Sequence, residues 1–584
     1  MSTSRFMQII HEHKVAILLA LLASIIVTFP QVYFRIEHRN DGVYQGIELL
    51  PDSPWSARVR EVQDGHPNFG NIYQKDGKDQ PYLLQSLGSM AVGYMGKVFG
   101  LDINNTFLLS RFVLTFTVFM LFYVFVLLLS TDKLAALSSA SVLVLAYTLL
   151  TFSGLSSLLH GLSPDNFLRI GRPVNPAMVY ILLFGFLITF WLFYKKQDWR
   201  YGMISAILLG LNFYNYFYTW TFLYGFGGVL VPILLIRKKW REAIGISSVF
   251  IGALLVATPY IINLYRVTQH SNYEEVGSRI GLLVSHTPLF VGFTVIVALI
   301  IFLLGFPRED KDKYFFGLAL LLAAFVTYNQ QIITGKVLEV EHYHWFFNKP
   351  LAFILVCIAI FYQFAHRGLN SYRKPIAILI ISVSILVGVF TQLHSYYYDR
   401  RDGGDIAVER QKYGPVMRWL NENAQKEAVV FANNEASHMT VIYTPLNVFY
   451  HRAALFSSLT ATNTRVYDTV FAPYRLRGVG KEEVREVFFK ERKVISGEIY
   501  GIHYRELLGS YEAIPDEKIE EVIAEYKKTL ATPTAEWLKN VWIKYEVEYI
   551  VWDKATDPLW NLDKYKYLEK KIEFGDLVIY HFNP

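Results

Sequence analysis

The chain has 584 residues, 53% of them hydrophobic and 16% aromatic, with a formal charge of +6 and a mean hydropathy of +0.27. That much apolar surface at that length excludes an ordinary soluble globular protein. The single cysteine, Cys357, excludes an intramolecular disulfide, and no zinc-ligand spacing, Walker A loop, dinucleotide fingerprint or nucleic-acid signature stands out.

Apolar runs long enough to cross about 30 Å of hydrocarbon recur up to residue 392 and then stop. Eleven spans are predicted, at 14–34, 107–130, 134–152, 176–194, 201–217, 220–236, 243–264, 286–306, 314–332, 349–365 and 373–392. The expected architecture is a polytopic α-helical membrane domain, 1–392, followed by a polar α/β domain, 393–584. The first span has no small-residue cleavage site after it and reads as a retained anchor. Short connections rich in basic residues, such as Lys195, Lys196, Arg237, Lys239, Arg308 and Arg373, alternate with longer ones. The positive-inside rule puts the basic set and the N-terminus in the cytoplasm. An odd number of spans then puts the C-terminal domain outside. The near absence of cysteine points to a prokaryotic cell membrane.

The longer loops therefore face outward, and they hold the unusual residues. In the first, Leu50-Pro51-Asp52-Ser53-Pro54-Trp55-Ser56-Ala57-Arg58 predicts a short helix to about Asp64, with Ser53 as cap and Pro54 in its first turn. Trp55, Val59 and Val62 form one apolar stripe, suited to the membrane interface. Asp52 reads as a capping acid or a catalytic one. A second interfacial helix is expected from about Gln80 to Phe99.

The second long outer loop carries Asp165, Arg169 and Arg172, the last held between Gly171 and Pro173. A positioned guanidinium suits phosphate recognition. The loop at 265–285 reads as a flap or a solvated connection. The next carries Glu339, Glu341, His342 and His344 beside Trp345. The two histidines, at i and i+2, read as weak metal ligands or as members of an aromatic belt. The run Asn212–Trp220 reads as belt and packing.

In the C-terminal domain, helices are expected at 415–424, 517–530 and 535–544, strands at 428–431 and 548–552, and a strand pair at 567–582 around Gly575. Asn433, Asn434, Glu435, Ser437 and His438 follow the first strand, where α/β folds bind ligands. A plain polar loop is the competing reading.

The layout resembles the GT-C glycosyltransferases, membrane enzymes that use lipid-phosphate-linked sugars, and by motif their oligosaccharyltransferase catalytic subunits. The resemblance rests on Asp52 followed by Trp55 and Arg58 in the first outer loop, on Asp165 between spans three and four, and on Glu339 and Glu341 between spans nine and ten. It covers 14–392 by layout and short pieces by motif. It implies catalytic roles for Asp52, Asp165 and Glu341, and substrate binding by Trp55, Arg58, Arg172, Glu339 and His344. It also implies a divalent cation, Mg or Mn, on Asp52 and Asp165 if a metal is used.

The second loop offers one acid where the family often has two, and the Trp-Trp-Asp acceptor motif is missing. The implied reaction is therefore transfer of a sugar from a polyprenyl-phosphate donor to a glycan, lipid or protein acceptor at the outer face. A transporter or lipid flippase is the main alternative, but it needs polar or broken spans. A non-enzymatic scaffold or sensor with an exported domain leaves the loop acids and arginines unexplained.

Overall fold

The computed structural model describes residues 3–49, 54–161, 167–279, 283–289, 292–337, 339–401, 405–501 and 514–584. Among them, eight helices are long and apolar enough to cross a membrane: Met7–Asn40, Ile103–Ser130, Pro173–Lys196, Phe217–Ile236, Trp240–Thr268, Lys311–Thr334, Glu341–His366 and Asn370–Tyr397. The other three expected spans are helical but shorter. Lys133–Leu145 gives way to a tight turn at Tyr147–Leu150, Phe293–Gly305 starts late, and Trp199–Asn215 has only 17 residues.

Two compact units form, each discontinuous in sequence. The first is Met1–Glu37, Asn104–Tyr260 and Val284–Ile406; the second is His38–Ile103, Ile261–Leu283 and Ala407–Pro584. This differs from a single cut after residue 392, because the first long loop and the 261–283 segment belong with the C-terminal residues. The reason is visible in their partners. The Gln411 side chain accepts from Gln45 N at 2.7 Å and donates to Ile47 O at 2.7 Å. Tyr73 stacks on His451 with ring centroids 4.2 Å apart, and Asn71 donates to Thr460 at 3.0 Å.

The first unit is an aromatic-rich helical bundle. Phe190 meets Phe226, Phe250 and Phe316 edge-on or tilted at 5.8–6.3 Å, geometry favoured by ring quadrupoles. Small residues let helices approach closely. A side chain at Gly210 would start 2.5 Å from Val256, and one at Gly317 2.9 Å from Phe302. Leu255, Leu304 and Ile333 on the bundle's surface are more than three-quarters exposed. At one end of the bundle Asp312 gathers Lys195, Arg237 and Lys239, at 3.5, 3.1 and 2.6 Å. These cations come from two of the basic connections, so those connections share an end.

The second unit is built on a five-stranded sheet. The strands are β1 (Val429–Ala432), β2 (Asn447–Val448), β3 (Val547–Asp553), β4 (Leu568–Phe574) and β5 (Leu577–Phe582), in the order β2-β1-β3-β5-β4. β1 pairs parallel with β2 and β3, and β3-β5-β4 is antiparallel. β1 and β2 are buried along their whole length, as the unbroken apolar run of β1 requires. Helices Gly414–Asn423, Asp516–Thr529 and Thr534–Lys544 and the β4–β5 hairpin fall within a residue or two of expectation.

The helix Trp55–Asp64 forms where expected, but its apolar stripe does not lie bare for a membrane. Val59 and Val62 are fully buried, and Val62 packs against Gly93 of the helix Leu87–Phe99. An apolar stripe requires cover, and here protein supplies it. The second helix starts at Leu87, not near Gln80, since residues 80–86 are bends and irregular backbone.

A histidine pair is sealed into this unit. His451 Nδ1 accepts from Ala453 N at 3.1 Å, so its Nε2 carries the hydrogen and donates to His438 Nδ1 at 3.1 Å. Burial above all pulls His438 down to about 4; burial, then the charge of His438, hold His451 well below the usual histidine range. The folded state therefore refuses protons that the unfolded chain accepts below about pH 6.5, and stability falls as pH drops through that value. For His438 the loss between pH 7 and 5 is about 2 kcal/mol. Amide exchange in the helix Asn434–Tyr443 checks this: its opening free energy drops with acidification, and drops less in His438→Gln. An unchanged acid slope in that variant contradicts the assignment.

Candidate functional site

The first unit brings together three segments: the turn 215–218 between two helices, the stretch 167–177 leading into Met178–Lys196, and the stretch 339–348 leading into Lys349–His366.

The middle stretch is anchored from below. Gln392 accepts from Leu168 N at 2.9 Å while donating to Ile26 O and Val27 O. Ser395 accepts from Phe167 N, and buried Arg111 donates to Gly171 O at 3.0 Å. A side chain at Gly171 would come 2.9 Å from Val27. These fixtures set the backbone from which Arg169 and Arg172 extend.

Both arginines line a cavity of about 60 Å³ with Tyr147, Thr148, Tyr180, Trp345 and Phe346. Arg169 lies 4.4 Å from the Trp345 ring centre, and Lys349 lies 3.5 Å from it and 5.7 Å from that of Tyr147. Tyr147 donates to Trp345 O at 2.5 Å. Lys349 is 2% exposed, so its charge acts in a poorly solvated setting where electrostatic attraction is strong. An indole face partly offsets its desolvation.

Beside the cavity runs a polar chain. Glu339 accepts from His342 Nε2 at 2.7 Å and from the Tyr218 hydroxyl at 3.3 Å. His342 Nδ1 then faces the Tyr216 hydroxyl in a short contact. With its Nε2 hydrogen on Glu339, His342 presents Nδ1 as an acceptor. Tyr218 stacks on the imidazole at 4.6 Å. Phe346 touches both Tyr216 and His342, at 5.3 and 6.0 Å, and also walls the cavity. Cationic side chains and a carboxylate-oriented imidazole are thus separated by one ring.

The chain matches no family model, and no curated protein matches it in sequence.

Of the residues expected at the site, Asp52 and Asp165 lie outside the described residues. Arg172 and Glu339 are at the cluster. Glu341 is exposed, because 339 and 342 share a face of the helical turn and 341 points elsewhere. His344 turns away from His342, toward Trp345 and Gly292, as the i, i+2 spacing dictates, and its Nδ1 has no hydrogen-bond partner among the described residues. The two histidines therefore do not form a metal pair, and no group of three His, Cys, Asp or Glu gathers among the described residues.

Trp55 and Arg58 belong to the second unit. Arg58 is 6% exposed, lies 4.3 Å from the Trp55 ring centre and faces Tyr73; burial depresses its pKa. It is built into that unit's core.

Lys349, Tyr147, Tyr216 and Tyr218 were not anticipated. The lysine opening an apolar run at Lys349-Pro350 was the available signal. Tyr216 and Tyr218 sit in the aromatic run Asn212–Trp220, which reads as belt and packing, and nothing local in that run shows that they meet His342 and Glu339.

Proposed function

We propose that the chain is a membrane glycosyltransferase that moves a sugar from a polyprenyl-phosphate donor to a hydroxyl acceptor. The observation that supports this reading is the cavity lined by Arg169 and Arg172, with Lys349 against its Trp345 wall, lying one ring away from the Glu339–His342–Tyr216 chain.

In the proposed reaction the acceptor hydroxyl replaces the Tyr216 hydroxyl on His342 Nδ1. Its oxygen attacks the anomeric carbon, and the bond from that carbon to the phosphate oxygen breaks. The bonding pair leaves with the polyprenyl phosphate. The acceptor proton goes to His342, whose imidazolium is stabilised by Glu339. Arg169, Arg172 and Lys349 neutralise the charge gathering on the leaving phosphate.

Asp52 and Asp165 keep the catalytic roles that the resemblance implies. They offer the hard oxygen donors that Mg or Mn takes, and such an ion would add to charge neutralisation on the phosphate. A photoactivatable polyprenyl phosphate, irradiated with the full-length protein in nanodiscs, is expected to label peptides containing Arg169 or Trp345. Labelling that excess unlabelled polyprenyl phosphate does not compete away contradicts the reading.

The proposed orientation has the N-terminus in the cytoplasm of a prokaryotic cell, eleven spans when the three shorter helices are counted, and residues 407–584 outside. The basic connections converging on Asp312 support a common cytoplasmic end. A Lys528→Cys, Cys357→Ala protein is expected to react with an impermeant maleimide on intact cells, since Lys528 is 69% exposed on the second unit. Reaction only after lysis reverses the orientation.

A further inference from the structure

The helix Leu87–Phe99 of the second unit is built the wrong way round for water. Its packed face is made of small residues: Gly88, Ser89, Val92, Gly93 and Gly96 are buried. That face rests on the helix Trp55–Asp64, where a side chain at Gly93 would start 2.8 Å from Val62 and 3.2 Å from Val59 O. The large apolar residues point the other way. Val98 and Phe99 are 78% and 65% exposed, and Tyr94 is exposed beside them. Lys97 is the only charged residue in the helix.

Leu87, Ala91, Tyr94 and Val98 fall at i, i+4, i+7 and i+11, so they form one continuous stripe along the outward face. A helix at a water boundary turns such a stripe inward and its polar residues outward. Packing through glycine and serine, with the bulky apolar side chains turned out, is the pattern of helices surrounded by lipid. A continuous apolar surface of this kind marks a place where something docks.

The covalent chain says what is close enough to cover it. Only Gly100, Leu101 and Asp102 separate Phe99 from Ile103–Ser130, a helix long and apolar enough to cross a membrane. Four residue steps reach about 14 Å at most, so Phe99 cannot stray farther than that from the first residue of a spanning helix. The bilayer around that helix is the nearest apolar phase to the stripe. The helix Leu87–Phe99 has 13 residues. It rises about 20 Å, too little to cross about 30 Å of hydrocarbon, which leaves a position along the membrane surface. We propose that the stripe Leu87, Ala91, Tyr94 and Val98, with Phe99 at its end, is a lipid-binding surface, and that the helix lies in the plane of the headgroups as the second unit's own contact with the bilayer.

The edge of the stripe suits that position. The Lys97 ammonium lies 5.8 Å from the Tyr94 ring centre. Tyrosine and lysine both keep an apolar body in the hydrocarbon and a polar tip at the headgroups. Helices of this kind sink about 5–10 Å into the boundary between headgroups and acyl chains. The contact with lipid does not rest on sugar transfer, because it is read with no donor or acceptor present.

The test uses the full-length Cys357→Ala protein in nanodiscs of phosphatidylethanolamine and phosphatidylglycerol. Val98→Cys and Tyr94→Cys each carry a bimane label, and Lys528→Cys, exposed on another helix of the same unit, is the comparison. Quenchers are iodide in the water, a lipid with a nitroxide near its headgroup and a lipid with one near its tail end. The label at 98 is expected to lose most of its emission to the shallow nitroxide, less to the deep one and little to iodide. The label at 528 is expected to respond to iodide alone. Unshifted thermal midpoints show that the variants are folded, and Tyr94→Cys carries the test if Val98→Cys is not. Iodide quenching at 98 equal to that at 528 puts the stripe in water and overturns the proposal. Protection from all three quenchers means that protein, a second copy or another partner, covers the stripe, and overturns it too. Stronger quenching by the deep nitroxide than by the shallow one contradicts the in-plane position.

Discussion

His342→Gln is expected to slow sugar transfer by about 10²–10⁴-fold, the usual contribution of a positioned general base. Glutamine approximates the size of histidine but cannot take a proton, so the fold should survive although the ring stack with Tyr218 is lost. Glu339→Gln acts on the same imidazole from its far side. It is expected to cost less, since the base remains and only its orientation and charge compensation weaken. The two losses should not add, because both remove one function. Tyr216→Phe is expected to cost least, because the acceptor displaces that hydroxyl. A His342→Gln protein that transfers sugar at the parental rate removes the base from the proposed mechanism. The rest of the site would then need another proton acceptor.

The second large effect is expected from Lys349→Met. Methionine keeps most of the apolar stem over Trp345 and deletes the charge. If Lys349 stabilises the phosphate as it leaves, kcat falls by about 10²–10³-fold, as when one charge-stabilising group is removed from an active site, and KM changes less. If the lysine serves the fold alone, the thermal midpoint shifts while kcat per folded molecule stays constant. Arg172→Gln is expected to follow the Lys349 pattern more weakly, since Arg172 lies on the exposed side of the cavity.

Much of this architecture is readable from sequence because its cause is local. A run such as Ile103–Ser130 is apolar all round, and the helices of the second unit carry their own periodicity. The β4–β5 hairpin is announced by Gly575, which sits at φ +59° in the turn.

What stayed hidden depends on distant partners. Gln45 and Gln411 are 366 residues apart, and neither carries a local mark that 38–103 folds with the C-terminal residues. The Trp55, Val59 and Val62 stripe says that something covers it, and not whether lipid or protein does. At the site, Arg172 and Glu339 are legible as isolated polar groups in the loops between apolar runs. Tyr216 was not, because an aromatic at a helix end has an ordinary interfacial explanation. The helical turn at 340–343 decided between Glu339 and Glu341, a difference of face that composition cannot express.

The most direct measurement is transfer of tritiated sugar from polyprenyl-phosphate monosaccharides by the purified protein, with parental, His342→Gln and Lys349→Met proteins assayed side by side. The account predicts acceptor-dependent incorporation and release of polyprenyl phosphate by the parental protein, and loss of both in the two variants while their thermal midpoints hold. Equal incorporation by all three proteins, or none by the parental protein with any donor sugar, contradicts it.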